Sequence, residues 1–293
     1  MGLADELLAR CAFPERGPVT CAVSGGADSL ALLILARHAG LEVTAVHVDH
    51  VLRPGSAAEA DVVAAAASRL GAGFRAVRAP VAAGPNLEAR ARAARYAQLP
   101  DGALTGHTAD DQAETVLLNL LRGSGLDGLA GMRRDGRRPL LGLRRSETAA
   151  LCAATGFEPV EDPSNHDRRF RRNRVRHELL PLLDDIAERD VAAVLARQAA
   201  LLAADADLLA ALATAVDPTD GAGLRGQPPA LARAAVRAWL RPALGGRPPD
   251  AATVQRVLDV AEGRAVATDV GTGLRVARTA GRLRLEPTAT LPA

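Results

Sequence analysis

Between Val19 and about Leu143, short apolar runs alternate with longer amphipathic stretches, separated by turns. The apolar runs predict five strands: Val19–Val23, Glu42–Val48, Phe74–Val77, Ala103–Thr105 and Pro139–Leu143. The longer stretches predict four helices: Ser29–Ala39, Ala57–Leu70, Leu87–Gln98 and Ala109–Leu121. Strands that alternate with helices are typical of a parallel sheet with crossover helices. We therefore predict an α/β fold with a doubly wound, Rossmann-like parallel sheet.

The pattern changes after Leu143. A short helix is predicted near 146–155, followed by an arginine-rich polar stretch and a helical segment from Pro181 to about Val216. Two more helices and a terminal β-hairpin follow: Ala230–Leu240, Ala251–Glu262, and Leu274–Arg278 with Leu283–Leu285 about Gly281. The sequence thus predicts an α/β domain over 1–183 and a smaller, mainly helical domain over 184–293.

Composition narrows the class of protein. No apolar run reaches the ~18 residues that cross a bilayer, and Asp5 and Glu6 interrupt the first apolar stretch, unlike a secretory leader. We expect a cytoplasmic protein with no membrane association. Cys11, Cys21 and Cys152 lie far apart, which argues against a disulfide framework or a paired metal motif.

All 36 basic residues other than histidine are arginine. Twelve of them form two clusters: Arg133, Arg134, Arg137, Arg138, Arg144 and Arg145, then Arg168, Arg169, Arg171, Arg172, Arg174 and Arg176. Clustered arginines bind polyanions through bidentate phosphate contacts and counterion release. A solvated basic surface explains the composition equally well, so charge alone leaves both interpretations open.

A glycine turn joins the first predicted strand to the next helix. Its residues are Ser24, Gly25, Gly26, Ala27, Asp28 and Ser29. The glycines let backbone N–H groups turn inward, and the helix N-terminus favours an anion, so a phosphate fits. The run matches neither a Walker A loop nor the Gly-x-Gly-x-x-Gly dinucleotide pattern. Because Asp28 would repel a phosphate unless a divalent cation lay between them, the loop indicates Mg²⁺ and ATP. An ordinary capped turn is the alternative.

Two further polar groups follow predicted strands. His47 and His50 follow the second strand, at the carboxyl edge where open α/β sheets bind ligands, and we expect them to contact the nucleotide. His107, Asp111 and Glu114 follow the fourth strand, with helical spacings that let them converge near a helix start. A capped helix with a solvated acidic first turn would explain the acids but not the histidine.

Five stretches in order resemble the tRNA(Ile)-lysidine synthetase family of PP-loop ATP pyrophosphatases. They are Ser24–Ser29, His47–Arg53, Asn86–Tyr96, Gly106–Thr115 continuing into Arg122–Gly125, and Glu161–Asn165 with Arg169–Arg176. The resemblance covers roughly Val19 to Pro181, and it implies that 1–183 is a PP-loop catalytic domain and 184–293 a tRNA-binding, substrate domain. It implies an enzyme that adenylates the wobble cytidine of tRNA(Ile) with a CAU anticodon at O2. L-lysine then attacks C2 and expels AMP.

The resemblance also suggests roles for particular residues. Asp28 would bind Mg²⁺, and Asp111 and Glu114 would hold the ammonium of lysine and accept its proton, with His107 in the same turn. Arg92 and Arg95 lie three residues apart on one predicted helix, facing either the α-phosphate or the anticodon backbone, unless this is a solvated helix face. The expected tRNA contacts are Arg95, Arg169, Arg172, Arg174 and Arg176.

Other members of the superfamily are weaker alternatives. A tRNA thiolase is expected to carry paired cysteines, and an amidotransferase to carry a glutaminase site; neither is evident. A nucleotide-binding sensor without catalysis does not require the acids and histidines at the sheet edge. The sequence predicts no obligate protein partner and leaves a homodimer open.

Overall fold

The computed structural model describes residues 2–50, 57–81, 84 and 87–288, with the exception of the side chains of residues 57, 87–89 and 91–92. The chain forms two compact units, Met1–Leu202 and Ala203–Ala293. This boundary lies within a long helix, Val191–Ala213, whereas the sequence places the domain boundary between residues 183 and 184. That earlier boundary stays a prediction.

A four-stranded parallel sheet organises the first unit. Its strands are β1 (Pro18–Ala22), β2 (Glu42–Asp49), β3 (Gly73–Arg78) and β4 (Leu104–Thr105), in the spatial order β3-β2-β1-β4. Cys21 on β1 is paired with Ala45 on β2 and with Leu104 on β4. All three of these residues are buried, because helices cover a parallel sheet on both faces. The predicted α/β fold class is confirmed.

Ten α-helices are described in or at the boundary of the first unit. They are α1 (Leu3–Leu8), α2 (Ala27–His38), α3 (Ala57–Arg69), α4 (Leu87–Gln98), α5 (Ala109–Leu121), α6 (Leu126–Leu129), α7 (Arg145–Ala154), α8 (Arg171–Arg174), α9 (Leu180–Ala187) and α10 (Val191–Ala213). A 3₁₀ turn, Pro163–His166, precedes α8, and a π-helical turn, Val175–Leu179, follows it. Helix α2 is central, since every residue from Ser29 to Ala36 is buried.

The strand order determines where a ligand can bind. From β1 the chain proceeds to β2 and β3 on one side, and it then returns to place β4 on the other side of β1. The carboxyl ends of β1 and β4 therefore flank a topological switch point, where open α/β sheets form their binding crevice. The Ser24–Ser29 loop leaves β1 at this point and Gly106–Thr108 leaves β4 there.

Two predicted elements are wrong. Pro139–Leu143 forms turns rather than a fifth strand. Leu140 and Leu143 are buried in the core, but the backbone makes only separate contacts, such as Ala109 N–H to the Leu143 carbonyl at 2.8 Å. The helical segment from Pro181 to Val216 is also interrupted: Glu188 adopts a φ of 50°, and Asp190 then caps the next helix by accepting from the Ala193 N–H.

The second unit packs helices against an antiparallel sheet. Its helices are α11 (Gly221–Arg225), α12 (Pro229–Ala243) and α13 (Ala251–Ala261), and its strands are β5 (Ala267–Gly271), β6 (Leu274–Thr279) and β7 (Arg282–Pro287). The predicted hairpin is confirmed as β6–β7. Its two turn residues, Ala280 and Gly281, have φ angles of 49° and 80°, as a tight right-twisted hairpin requires. Strand β5, which the sequence analysis missed, pairs with β6 to complete the sheet.

Candidate active site

The glycine turn after β1 is organised by its own side chains. Ser29 donates from Oγ to the Gly26 carbonyl at 2.8 Å, and the Ser24 N–H donates to Ser29 Oγ at 3.1 Å. Gly25 has a φ of +91°, and a Cβ there would lie 3.3 Å from a methyl carbon of Val160. The turn therefore needs glycine at this position, and it leads directly into the N-terminus of α2, where an anion is stabilised.

Asp28 lies in the first turn of α2, with its side chain about a quarter exposed (25%). Thr148 donates from Oγ1 to Asp28 Oδ1 at 2.5 Å, and Arg145 Nε lies 3.5 Å from Oδ2. Burial raises the pKa of Asp28 from 3.8 to about 6, a shift that the negative charge of Asp111 adds to and that the contacts with Thr148 and Arg145 oppose. Asp28 is thus a carboxylate whose charge is only partly compensated.

Two histidines stand at the carboxyl end of β2. His47 is buried, and its Nδ1–H donates to the Val23 carbonyl at 3.0 Å. His50 approaches the Ala79 carbonyl through Nδ1 at 3.4 Å, and its Nε2 is buried with no partner among the described residues. Burial lowers the pKa of His50, and the nearby Arg95 lowers it further. A neutral imidazole with a free ring nitrogen therefore lies at this edge. Residues 51–53, which complete the His47–Arg53 motif, lie outside the described residues.

The turn after β4 approaches the glycine turn closely. A Cβ on Gly106 would lie 2.5 Å from the carbonyl oxygen of Asp28, so only glycine allows the two backbones to approach so closely. The neighbouring His107 shares a 2.8 Å hydrogen bond between its Nδ1 and Thr105 Oγ1. The motifs after β1 and β4 are therefore in direct contact.

Asp111 and Glu114 form one buried acidic pair on α5. Asp111 Oδ2 accepts from the Thr108 N–H at 2.9 Å and caps the helix, while Glu114 is fully buried. Burial alone would raise the pKa of Asp111, but Arg172 and Arg145, with a further contribution from His107, lower it to about 2. Asp111 is therefore ionised throughout the neutral range.

Three arginines surround this pair. Arg145 Nη2 lies 3.1 Å from both Asp111 Oδ1 and Glu114 Oε1. Arg172 donates from Nε to Glu114 Oε2 at 2.6 Å and from Nη2 to Asp111 Oδ1 at 3.1 Å. Arg176 donates from Nε to Glu114 Oε1 at 2.7 Å. Because Arg145 also approaches Asp28, one guanidinium links the glycine turn to the acidic pair.

The predicted tRNA-contacting arginines fall into two groups. Arg172 and Arg176 point into the acidic pair, with about a fifth of each side chain exposed (23% and 21%). Arg169 and Arg174 are exposed (87% and 60%) and pair with Asp167 and Glu178 at the surface. Arg95 is exposed on α4, and the side chain of Arg92 lies outside the described side chains.

Arg145 and Thr148 are the site residues that the sequence analysis missed. In the sequence, Arg145 belongs only to an arginine cluster, and Thr148 belongs to none of the motifs. The sequence feature that could have found them is the spacing of a basic residue and a small hydroxyl residue, three positions apart. Both stand at the start of a predicted helix near the sheet edge. That signal is weak, because their partners lie about 30 to 120 positions away in the chain.

Comparison with known proteins identifies the family. The sequence-family model of the PP-loop domain matches residues 4–183, and the family model of the TilS substrate binding domain matches residues 220–284. A tRNA(Ile)-lysidine synthase from Nocardia farcinica is 44% identical over 304 residues, covering 96% of each chain. One from Rhodococcus erythropolis is 46% identical over 78% of this chain and 75% of its own.

The fold also occurs in a solved structure, the U34-tRNA thiolase NcsA from Methanococcus maripaludis. It superposes with a TM-score of 0.53 over 68% of this chain and 77% of that chain, at 16% identity, which is a likeness of fold alone. The two domain matches and the high identity over most of the chain assign this protein to the tRNA(Ile)-lysidine synthase family.

Proposed function

We propose that this protein ligates L-lysine to C2 of the wobble cytidine of tRNA(Ile) with a CAU anticodon, using ATP. The first step transfers AMP from ATP to the cytosine O2 and releases pyrophosphate. The lysine ε-amine then attacks C2, and the C2–O2 bond breaks to release AMP. The observation that carries the proposal is Arg145, which links the Asp28 carboxylate of the glycine turn to the Asp111–Glu114 pair.

The glycine turn is suited to the phosphates of ATP. The Gly25 conformation and the start of α2 present backbone N–H groups and a positive helix end, which favour an anion. His47 and His50, at the end of the adjacent strand, are the proposed contacts to the rest of the nucleotide. His50 offers to a hydrogen-bonding group its Nε2, which has no partner in the part of the chain that the structure describes.

Asp28 fits a magnesium ion that arrives with the nucleotide. No cluster of three metal-ligating side chains occurs among the described residues, and Mg²⁺ typically uses one or two carboxylates together with substrate phosphates. The partly compensated charge of Asp28 agrees with that use. When bound, the ion would neutralise negative charge on the phosphates as pyrophosphate leaves. Asp28 would hold it at the start of α2.

The lysine step is assigned to Asp111 and Glu114, with His107 in the adjoining turn. Both carboxylates are saturated with arginine and Thr108 contacts, so a lysine ammonium can bind them only by replacing a guanidinium. Such an exchange replaces one positive charge by another, so the net charge around Asp111 and Glu114 does not change. In this proposal Asp111 and Glu114 accept the proton of the ammonium, and His107, in the adjoining turn, contributes to the electrostatic field at Asp111.

The exposed arginines supply the surface for tRNA. Arg169 and Arg174 have weakly held surface partners that a phosphate can replace, and Arg95 projects from α4 near His50. Arg92, three residues before Arg95 on the same helix, remains a candidate catalytic residue from its position alone. No helix of the described residues is long and apolar enough to span a membrane. A cytoplasmic location and a homodimer remain proposals.

The cysteines do not favour thiolation. Cys21 and Cys152 are fully buried, and burial raises their pKa values to about 12 and about 11. Burial likewise raises the pKa of Cys11 to about 12. A thiol is nucleophilic as its thiolate, so these three groups are poorly suited to carry sulfur.

The decisive assay is incubation with ATP, Mg²⁺, L-lysine and a tRNA(Ile) transcript, followed by mass spectrometry of the nucleosides. We expect a cytidine whose mass is increased by one lysine less one water, with stoichiometric AMP. A tRNA(Met) transcript with the same anticodon and a reaction without lysine are the controls. Absence of the lysine adduct, with ATP turnover intact, would assign a different acceptor or nucleophile.

A further inference from the structure

Thr148 is a fully buried polar side chain next to the glycine turn, on a different helix from Asp28. Its hydroxyl contacts Asp28 Oδ1 at 2.5 Å across 120 positions of sequence, and it also lies 2.8 Å from the Arg145 carbonyl one turn earlier on α7. The helix restricts the χ1 angle of a β-branched residue. Threonine keeps two helical rotamers, and the 2.8 Å contact with the Arg145 carbonyl shows that α7 supports the one that Thr148 adopts.

Arg145 is the competing partner of Asp28. Its Nη2 is occupied by Asp111 and Glu114 at 3.1 Å each, and only Nε approaches Asp28 Oδ2, at 3.5 Å. That separation is too long for a strong hydrogen bond. The carboxylate is thus held at Oδ1 by a close contact with a neutral hydroxyl, while its second oxygen makes only a long ion pair, at 3.5 Å, with the nearby guanidinium.

We propose that Thr148 is a positioning residue, which holds the Asp28 carboxylate by Oδ1 so that Oδ2 remains available to the magnesium ion of bound ATP. This proposal rests on the proposed role of Asp28. Without the hydroxyl, Asp28 can rotate toward Arg145 and form a closer ion pair, and the cation must then compete with a guanidinium. Thr148 acts through Asp28 and does not itself touch the nucleotide.

Three variants separate positioning from general packing. Thr148→Val keeps the shape and removes the donor, and Thr148→Ser keeps the donor. Thr155→Val is the matched control: Thr155 is the C-cap of the same helix, and its hydroxyl bonds only to the Leu151 and Cys152 carbonyls of α7 among the described partners. Melting of each variant without Mg²⁺ measures the effect of the substitution on stability separately from metal binding.

The measurement is calorimetric binding of α,β-methylene-ATP by the full chain as a function of MgCl₂ concentration. For Thr148→Val we expect the half-saturating Mg²⁺ concentration to rise about tenfold, the effect of removing one hydrogen bond to a charged group. Thr148→Ser should stay within about twofold of the wild type, and Thr155→Val should match it. In an Asp28→Asn background, Thr148→Val should have no further effect on the Mg²⁺ dependence.

Each result has a definite meaning. An unchanged Mg²⁺ dependence in Thr148→Val, or an equal change in Thr155→Val, overturns the positioning role while the proposed function stands. Failure of the wild type to bind the analogue in a Mg²⁺-dependent manner overturns the Asp28 assignment and this proposal with it. Should Thr148→Val melt below the assay temperature, Thr148→Ala removes the hydroxyl without a new methyl group, and the same criterion applies.

Discussion

Arg172 donates from Nε to Glu114 Oε2 at 2.6 Å, although the two residues lie 58 positions apart in the chain. Glu114 is fully buried, so guanidinium groups rather than water balance its charge. The contact joins the polar segment before α9 to the helix that begins at the sheet edge. Arg172, which the sequence predicts to contact nucleic acid, therefore also stabilises the packing of the first unit.

The first prediction concerns the buried charge. Glu114→Gln should destabilise the protein by about 3 kcal/mol, because three guanidinium groups lose the carboxylate that compensates them. Urea denaturation at neutral pH measures the change. Glu178→Gln is the control, since Glu178 pairs with Arg168 and Arg174 at the surface, where an ion pair contributes little. Equal effects of the two substitutions would contradict a structural role for the buried network.

The second prediction separates the arginines. Arg169→Ala with Arg174→Ala should leave the melting temperature near that of the wild type and should weaken tRNA binding. The slope of log affinity against log salt should become shallower by about 0.7 to 0.9 for each phosphate that the variant no longer binds. Arg172→Ala should instead lower the melting temperature, because its partners Glu114 and Asp111 are buried. An unchanged slope in the first variant would exclude phosphate contacts by those residues.

The third prediction follows from the raised pKa of Asp28. Burial raises this pKa from 3.8 to about 6, so between those values the folded protein binds a proton that the unfolded chain releases. Stability contributed by this group falls as pH rises through that window, and the penalty is fully present above it. Asp28→Asn should therefore stabilise the metal-free protein by about 2 kcal/mol at pH ~8 and much less at pH ~4. Urea denaturation in EDTA at both pH values tests this, and a pH-independent difference would refute it.

Local pattern was sufficient to predict most of the catalytic fold. Helix α5 matches its predicted bounds, and β2 differs by one residue, because apolar periodicity and adjacent turns are encoded within each segment. Pro139–Leu143 has the same apolar content as a strand, yet its residues fill the core from turns. Strand β5 carries Asp269 and Gly271 and only one buried residue, so nothing in its pattern distinguishes it from a loop.

The candidate site likewise combines features that local sequence predicts with contacts that only tertiary packing creates. The Ser24–Ser29 turn and the Asp111–Glu114 spacing are local patterns, and the strand order explains why they meet. The contacts of Thr148 and Arg145 depend on α7 packing against α2, which links residues more than 100 positions apart. The pairing of Arg172 and Arg176 with Glu114 likewise arises only from tertiary packing. Charge clustering in the sequence could not distinguish these two from the exposed Arg169 and Arg174.

The last prediction tests the contact between the two turns at the switch point. A Cβ on Gly106 would lie 2.5 Å from the carbonyl oxygen of Asp28 and 2.8 Å from its carbonyl carbon. Both are backbone atoms of the first turn of α2, which cannot move without disturbing the glycine turn. Gly106→Ala should therefore cost about 1 to 3 kcal/mol or more in stability and should weaken binding of Mg²⁺ and α,β-methylene-ATP.

Gly226→Ala is the control, since a Cβ there meets neighbours at 3.6 Å and beyond with no unusual φ. Chemical denaturation and calorimetry of both variants measure the two effects. Gly106→Ala with wild-type stability and nucleotide binding would mean that the turns after β1 and β4 are not in contact in solution.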